Sequence, residues 1–415
     1  MAFPTSRSTK YQLNRVHTLL EMILRRPSPT NVPLYCMHEP TTGCNLKCPA
    51  CPTGVGVANV RETADAEDYE VVCREFGNYL DIYYLFNWGE PTMAKSFAAI
   101  ARRLRDEPFL VKVSSNFSLP IKDDVIDALA TMPNLELRIS IDGATQESHQ
   151  KYRVNSKLAT VLDNARRLSQ AIKASSTPPH RVFIGFLAFS YNSSEAVAVE
   201  KMATDIGLGF QRYDDPLVAG EPMPTGGLNV QEAFGCSWLY STICPTPKLT
   251  RLAPCCGVWD AEMLSPRLEG RSLHEAFMHE QRFRDRRTTD SEFARLPVET
   301  RVGHLRENMM RDEGMGLHQK ESKVDACVGC TMGNAYQNKL TNLVNGGVQS
   351  FAGLTSVDEA IARGRLFAVL SQLVPGLSTD LTLRRQLEDV LDMPPVGSRT
   401  IKHYEKFGSF LAGLH

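Results

Sequence analysis

Between residues 34 and 213, short apolar stretches rich in β-branched and aromatic residues alternate with longer stretches of helical periodicity. Strands are predicted at 34–40, 82–86, 109–114, 135–141, 182–189 and 208–213. Helices are predicted between them, near 66–79, 93–105, 121–131, 156–173 and 193–206. Strand and helix in strict alternation predict a parallel sheet with crossover helices, an α/β fold. Six such units in about 180 residues fall short of a closed eight-unit barrel, for which ~250 residues are typical. The pattern therefore predicts an open, partial (β/α)6 TIM-like barrel over residues 34–214. An amphipathic helix over 10–26, ended by Arg26-Pro27 and Pro29, precedes it within residues 1–33.

Beyond the barrel the pattern changes. Residues 215–235 are rich in Pro and Gly and read as a linker. Residues 236–335 lose the alternation and carry six cysteines, which predicts a small cysteine-rich unit. Residues 336–415 read as a helical C-terminal region, with an apolar face on 356–374 and a break at Pro394-Pro395.

Charge narrows the classes of partner. The 415 residues include 46 basic and 47 acidic side chains, for a net charge of −1. That balance predicts no electrostatic attraction to nucleic acid or to an anionic membrane. The apolar runs are strand-sized, far below a membrane span. The segment Met1-Ala-Phe-Pro-Thr-Ser-Arg lacks the apolar core of a signal peptide. Eleven cysteines without an export signal point to reduced thiols or metal ligands in a cytoplasm rather than to a disulfide framework.

Three of those cysteines are crowded into Cys44-Asn-Leu-Lys-Cys48-Pro-Ala-Cys51, just after the first predicted strand. Iron–sulfur clusters are normally held by four cysteines, so a three-cysteine loop leaves one iron open to another ligand. The competing reading is a zinc site completed by Cys36 or His38. Two further segments follow strands. The second predicted strand runs into Asn87-Trp88-Gly89-Glu90-Pro91, and the fourth into Ser140-Ile141-Asp142-Gly143-Ala144, followed by Lys151-Tyr152-Arg153. Active sites on parallel α/β sheets lie at the carboxyl ends of the strands, so all three segments are predicted on one face.

In combination these motifs resemble those of radical S-adenosylmethionine (SAM) enzymes, over roughly residues 34–335. The resemblance implies a 4Fe–4S cluster on Cys44, Cys48 and Cys51, with SAM on the open iron. It implies that Gly89, Glu90 and Pro91 form the turn that receives the SAM ammonium, with Trp88 in place of the family's first glycine. It further implies SAM carboxylate contacts from Ser140 and Arg153, where a guanidinium fork suits a carboxylate. Asp142 either shares that site or caps the following helix. Asn116 contacts the ribose or shapes a turn. The aromatic residue often found before the third cysteine is replaced by Ala50, so the adenine would find its apolar wall elsewhere, on the 182–189 strand.

A second group comprises Cys236-Ser-Trp238, Pro254-Cys255-Cys256-Gly257 and Cys327-Val-Gly-Cys330. It looks like a SPASM/twitch domain, which implies an auxiliary 4Fe–4S cluster on Cys236, Cys255, Cys327 and Cys330. Cys256 is the alternative to Cys255, and a four-cysteine zinc site is the alternative to the cluster. Cys36, Cys73 and Cys244 read as core residues, Cys244 being the best spare ligand. The resemblance implies an oxidoreductase of natural-product type, in which a 5′-deoxyadenosyl radical takes hydrogen from a small polar metabolite such as a sugar, aminocyclitol or nucleoside. The auxiliary cluster would accept the electron, with Arg212 or Tyr213 as base. A peptide-modifying maturase and a cobalamin-dependent methyltransferase are the alternatives. The implied partners are a small-molecule or peptide substrate and a reductant such as flavodoxin or ferredoxin.

Overall fold

The computed structural model describes residues 27–49, 51–213, 238–258, 260–285 and 287–288, together with residues 11, 14, 18 and 21. Its centre is an eight-stranded sheet in the order β6-β5-β4-β3-β2-β1-β7-β8. The strands are β1 (Tyr35–Met37), β2 (Ile82–Tyr84), β3 (Leu110–Ser115), β4 (Leu135–Ser140), β5 (Arg181–Leu187), β6 (Gly209–Tyr213), β7 (Thr242–Pro245) and β8 (Leu252–Ala253). Every pair is parallel except β7–β8. The fold is α/β with a parallel-dominated sheet, as an open, partial TIM-like barrel requires. The linker at 215–235, the segment 289–335 and the tail at 336–415 lie outside the described residues, as do Ala50, Cys236, Cys327 and Cys330.

Helices α1 (Ala66–Phe76), α2 (Phe97–Leu104), α3 (Asp123–Ala130), α4 (Gln146–Tyr152), α5 (Leu158–Ala174) and α6 (Ala196–Ile206) connect the first six strands. Burial follows the strand period of two. On β3, Val111, Val113 and Ser115 are buried while Leu110, Lys112 and Ser114 are half-buried. Val111 and Val113, with Leu135, Leu137 and Ile139 of β4, join one large apolar core with Val125, Leu129, Val161 and Leu168 of the helices. The other face of these strands carries Lys112, Ser114, Glu136 and Arg138.

Two features depart from the sequence expectation. The stretch after residue 236 does not leave the sheet: β7 pairs in parallel with β1, and helix α7 (Leu273–His279) packs against α1. Glu75 of α1 accepts the Leu273 and His274 backbone N–H groups at 3.3 and 3.2 Å. The N-terminal helix also docks through polar groups. Asn14, Thr18 and Glu21 are helical and buried. The Asn14 side chain exchanges hydrogen bonds with the Val32 backbone, and Glu21 accepts from Thr30 N–H at 2.8 Å. Buried polar groups need such partners, and this stripe supplies them to a loop that has no ladder of its own.

Candidate active site

The cysteine loop leaves β1 and folds back on itself. Cys51 N–H donates to the Cys48 carbonyl at 3.1 Å, and Val55 N–H to that of Cys51 at 2.9 Å. Lys47 N–H reaches the Val154 carbonyl at 3.1 Å, which ties the loop to the chain after α4. Cys48 is 7% exposed, while Cys44 and Cys51 are half-buried. Leu46 N–H and the Asn116 side-chain amide point at Cys44 Sγ, at 3.4 and 3.9 Å. Burial pushes the Cys44 thiol up to about 12 and raises that of Cys48, against which the Arg153 guanidinium works. Such thiols become thiolates when a bound cation replaces the proton. Among the described residues no group of three or more His, Cys, Asp or Glu side chains is gathered around a single-ion site. A cluster places each thiolate on a different iron, so this loop with its inward N–H donors fits one.

The Asn87-Trp88-Gly89-Glu90-Pro91 turn packs directly on that loop. A Cβ on Gly89 would collide with the Thr41 carbonyl oxygen and lie 2.8 Å from its carbon and 3.0 Å from the Gly43 oxygen. Glu90 N–H donates to the Gly43 carbonyl at 2.8 Å. The Glu90 carboxylate is spent within the protein: Oε1 accepts from Thr92 N–H and Oγ1 and from Ser115 Oγ, and Oε2 from Asn116 N–H. Pro91 opens the short 3-10 turn Pro91–Met93 that Glu90 caps. Sequence reasoning missed Glu39. This buried carboxylate accepts the Trp88 and Gly89 N–H groups at 2.8 and 2.7 Å and so sets the turn. Burial pushes its carboxyl up to about 7 despite those bonds. Asn116 accepts from Ser118 N–H, making a local turn, and donates to Asn45 at 2.9 Å.

At the end of β4, Ser140 is buried and Asp142 fully so. Asp142 Oδ1 accepts from Leu187 N–H at 2.7 Å, and Oδ2 from Arg153 Nε at 2.6 Å. Asp142 therefore fastens the rim and orients Arg153; the N-cap of α4 is Thr145. The Arg153 side chain is 16% exposed, its Nε committed to Asp142 and its guanidinium beside Cys48. Past β5, Phe189 meets the rings of Tyr152 and Tyr191 at 4.8 and 5.3 Å, forming an aromatic shelf.

Arg212 and Tyr213 end β6 but part company. Arg212 is exposed and donates to the Ser193 carbonyl at 3.3 Å. Tyr213 turns to the inner face, its ring 5.3 Å from the Arg138 guanidinium. Of the four expected auxiliary-cluster ligands only Cys255 lies among the described residues, half-buried beside Cys256. Cys256 and Cys244 are buried together with Met37, Tyr84 and Trp238. A cleft between the cysteine loop and β7–β8 is lined by Glu39, Trp88, Cys244, Pro247 and Val258. No helix among the described residues is long and apolar enough to cross a membrane.

The three-cysteine loop, the Gly-Glu-Pro turn and the Asp142–Arg153 pair thus share one rim. Residues 38–180 match the Radical SAM superfamily. The matched segment holds all three features. A curated relative, the AdoMet-dependent heme synthase of Methanosarcina barkeri (strain Fusaro / DSM 804), is 28% identical over 127 residues, 30% of this chain. The chain spans about a third of that relative, 35% of its length. Similar solved structures include Streptococcus suis SuiB bound to S-adenosylmethionine, with 12% identity and a TM-score of 0.49 over 62% of this chain and 68% of that one. BtrN in complex with AdoMet and 2-DOIA gives 12% identity and a TM-score of 0.38 over 64% and 89%.

Proposed function

We propose that the protein is a radical SAM enzyme that abstracts hydrogen from a small polar metabolite of the sugar, aminocyclitol or nucleoside kind. The observation that carries this reading is the single rim on which Cys44, Cys48 and Cys51 meet the Gly89-Glu90 turn and Arg153, inside the segment that matches the superfamily. Cys44, Cys48 and Cys51 would hold a 4Fe–4S cluster. When bound with SAM, that cluster supplies the electron that splits SAM to methionine and a 5′-deoxyadenosyl radical.

The chain's own residues bind and orient. Glu39 and Glu90 fix the turn against the cysteine loop, so its backbone groups are set before a ligand arrives. Asp142 holds Arg153 in place, keeping a cation beside Cys48. Ser140 stands at the same rim for the SAM carboxylate. The shelf of Tyr152, Phe189 and Tyr191 offers ring surface to a purine. Ser114, Glu136 and Tyr213 on the inner face offer hydroxyl and carboxylate partners, which suits a polyhydroxylated substrate better than an apolar one. Tyr213, which faces inward, is the better placed of the two proposed bases. Cys236, Cys255, Cys327 and Cys330 would hold an auxiliary cluster that takes up an electron, making the overall reaction a dehydrogenation.

Cys48→Ala tests the reading. In anaerobically reconstituted protein under dithionite, 5′-deoxyadenosine formation from SAM is expected to vanish. A rate equal to that of the unsubstituted protein overturns the assignment. Metal analysis of the unsubstituted protein is expected to give about eight iron and eight sulfide if both sites are 4Fe–4S, whereas zinc without sulfide overturns it.

A further inference from the structure

The inner face of the sheet carries more positive than negative charge. Strand β4 sends Leu135, Leu137 and Ile139 to the helix layer and Glu136, Arg138 and Ser140 the other way. Glu136 is neutralised by Lys112 at 2.7 Å and approached by Arg181 at 3.9 Å. Asp142, at the rim above, is paired with Arg153. Arg138 lies between these two pairs, and among the described residues no carboxylate pairs with it.

The side chain is nonetheless held firmly. Nε and Nη2 both donate to Ser114 Oγ, at 2.9 and 2.8 Å. The ring centroids of Tyr213 and Phe86 lie 5.3 and 6.0 Å from its central carbon. Gly185 of β5 makes room for it: a Cβ there would sit 2.6 Å from Arg138 Cδ and 2.7 Å from Cγ. A guanidinium has five N–H donors in a fixed fork. Nε and Nη2 reach the neutral Ser114 hydroxyl and Tyr213 adds a second hydroxyl partner, so among the described residues the fork meets hydroxyls and no carboxylate. Burial works against the Arg138 charge and Arg153 adds to the penalty, while Tyr213 and, to a smaller extent, Asp142 offset part of it. A positioned, half-buried cation with spare donors and, among the described residues, no carboxylate at ion-pair distance is built to receive an anion.

We propose that Arg138, with Ser114 behind it, is the anchor for an oxyanion of the substrate, a carboxylate or phosphate, on the inner face of the sheet. This names the class of metabolite and rests on the reading of that face as the substrate site. The oxyanion would take the guanidinium donors that the hydroxyls leave free, beside the Phe86 and Tyr213 rings.

The experiment labels arginines of the full-length, SAM-saturated holoenzyme with phenylglyoxal and reads each site by peptide mass spectrometry. Inorganic phosphate and malonate are compared with chloride at equal ionic strength. Phosphate or malonate is expected to slow modification of Arg138 by about tenfold, the scale of one charge-assisted hydrogen-bond pair. Exposed Arg61 is the control and is expected to react unchanged. The anion that protects assigns the source, phosphate or carboxylate. Equal modification in all three salts overturns the proposal, as does an Arg138 that reacts with the reagent in none of them. Protection by SAM alone would give Arg138 to the cofactor and overturn it too. The same labelling without cluster or SAM keeps the two readings apart. Anion protection in a protein that never cleaves SAM removes the radical SAM reading and leaves the oxyanion site; SAM cleavage without anion protection does the reverse.

Discussion

Replacing Gly89 by alanine sets a methyl group into the backbone of the cysteine loop. The new carbon would overlap the Thr41 carbonyl and come within 3.0 Å of the Gly43 oxygen. Both neighbours are backbone, so no side chain can swing away. The Thr41 carbonyl must retreat by roughly 1.5 Å to regain ordinary contact. Three bonds cross that seam: Gly89 N–H and Trp88 N–H to Glu39, and Glu90 N–H to the Gly43 carbonyl. Loosening them leaves the buried Glu39 carboxylate short of donors. A neutral hydrogen bond is worth about 1 kcal/mol and one to a charged group about 1.5–3, so Gly89→Ala is expected to cost about 3 kcal/mol. The assay is anaerobic urea unfolding followed by intrinsic fluorescence, with iron content and 5′-deoxyadenosine formation measured on the same samples. All three are expected to fall together, since the strained seam is the loop that carries Cys44. Unfolding free energy within about 0.5 kcal/mol of the unsubstituted protein, with full iron content, would refute the packing argument.

Three further outcomes are expected. His38 and His149 are fully buried, and burial lowers both from 6.5 to about 4, so each is neutral in the fold yet protonates in the unfolded chain. Stability should therefore fall as pH drops below about 6.5 and level off near 4, each histidine contributing about 3 kcal/mol, and His149→Gln should flatten that acid limb; an unchanged slope would contradict it. Asp142→Asn should keep the Leu187 contact but strand the Arg153 charge, at a cost of about 2–4 kcal/mol, and a double-mutant cycle with Arg153→Gln should show coupling above about 1 kcal/mol; zero coupling would count against the pair. Arg287 is 1% exposed and donates to the carbonyls of Leu239, Pro27 and Phe277 while its guanidinium lies 4.7 Å from the Phe277 ring centroid. Arg287→Ala should lower the unfolding free energy by about 3 kcal/mol, because three carbonyls lose their donor, and a loss under about 1 kcal/mol would show that the 238–288 segment does not depend on it.

Period and spacing made the sheet readable. Alternation of apolar stretches placed the first six strands close to their observed bounds, because each must bury one face under a helix and so carries a hydrophobic period. The placement of the turns after β1, β2 and β4 was legible for a related reason: on a parallel sheet the residues just after a strand fall on one rim. Strand β7 was hidden because Thr242–Pro245 is four residues long and only the four-residue helix Trp238–Ser241 is described just before it. Its place beside β1 depends on a partner some two hundred residues away. Glu39 was hidden as well, since nothing local distinguishes a glutamate that will accept two distant N–H groups from one that faces water.

Sequence alone therefore determined the α/β alternation, the partial barrel and the rim to which the three cysteines and two turns belong, because these follow from local hydrophobic period and chain direction. Tertiary structure decided how the charges are shared: Arg153 with Asp142, Glu136 with Lys112, Glu90 with Ser115 and Asn116, and Arg138 with no carboxylate among the described residues. Pairing is a matter of a few ångströms between strands that are far apart in sequence. Only the assembled sheet brings those groups within reach of one another.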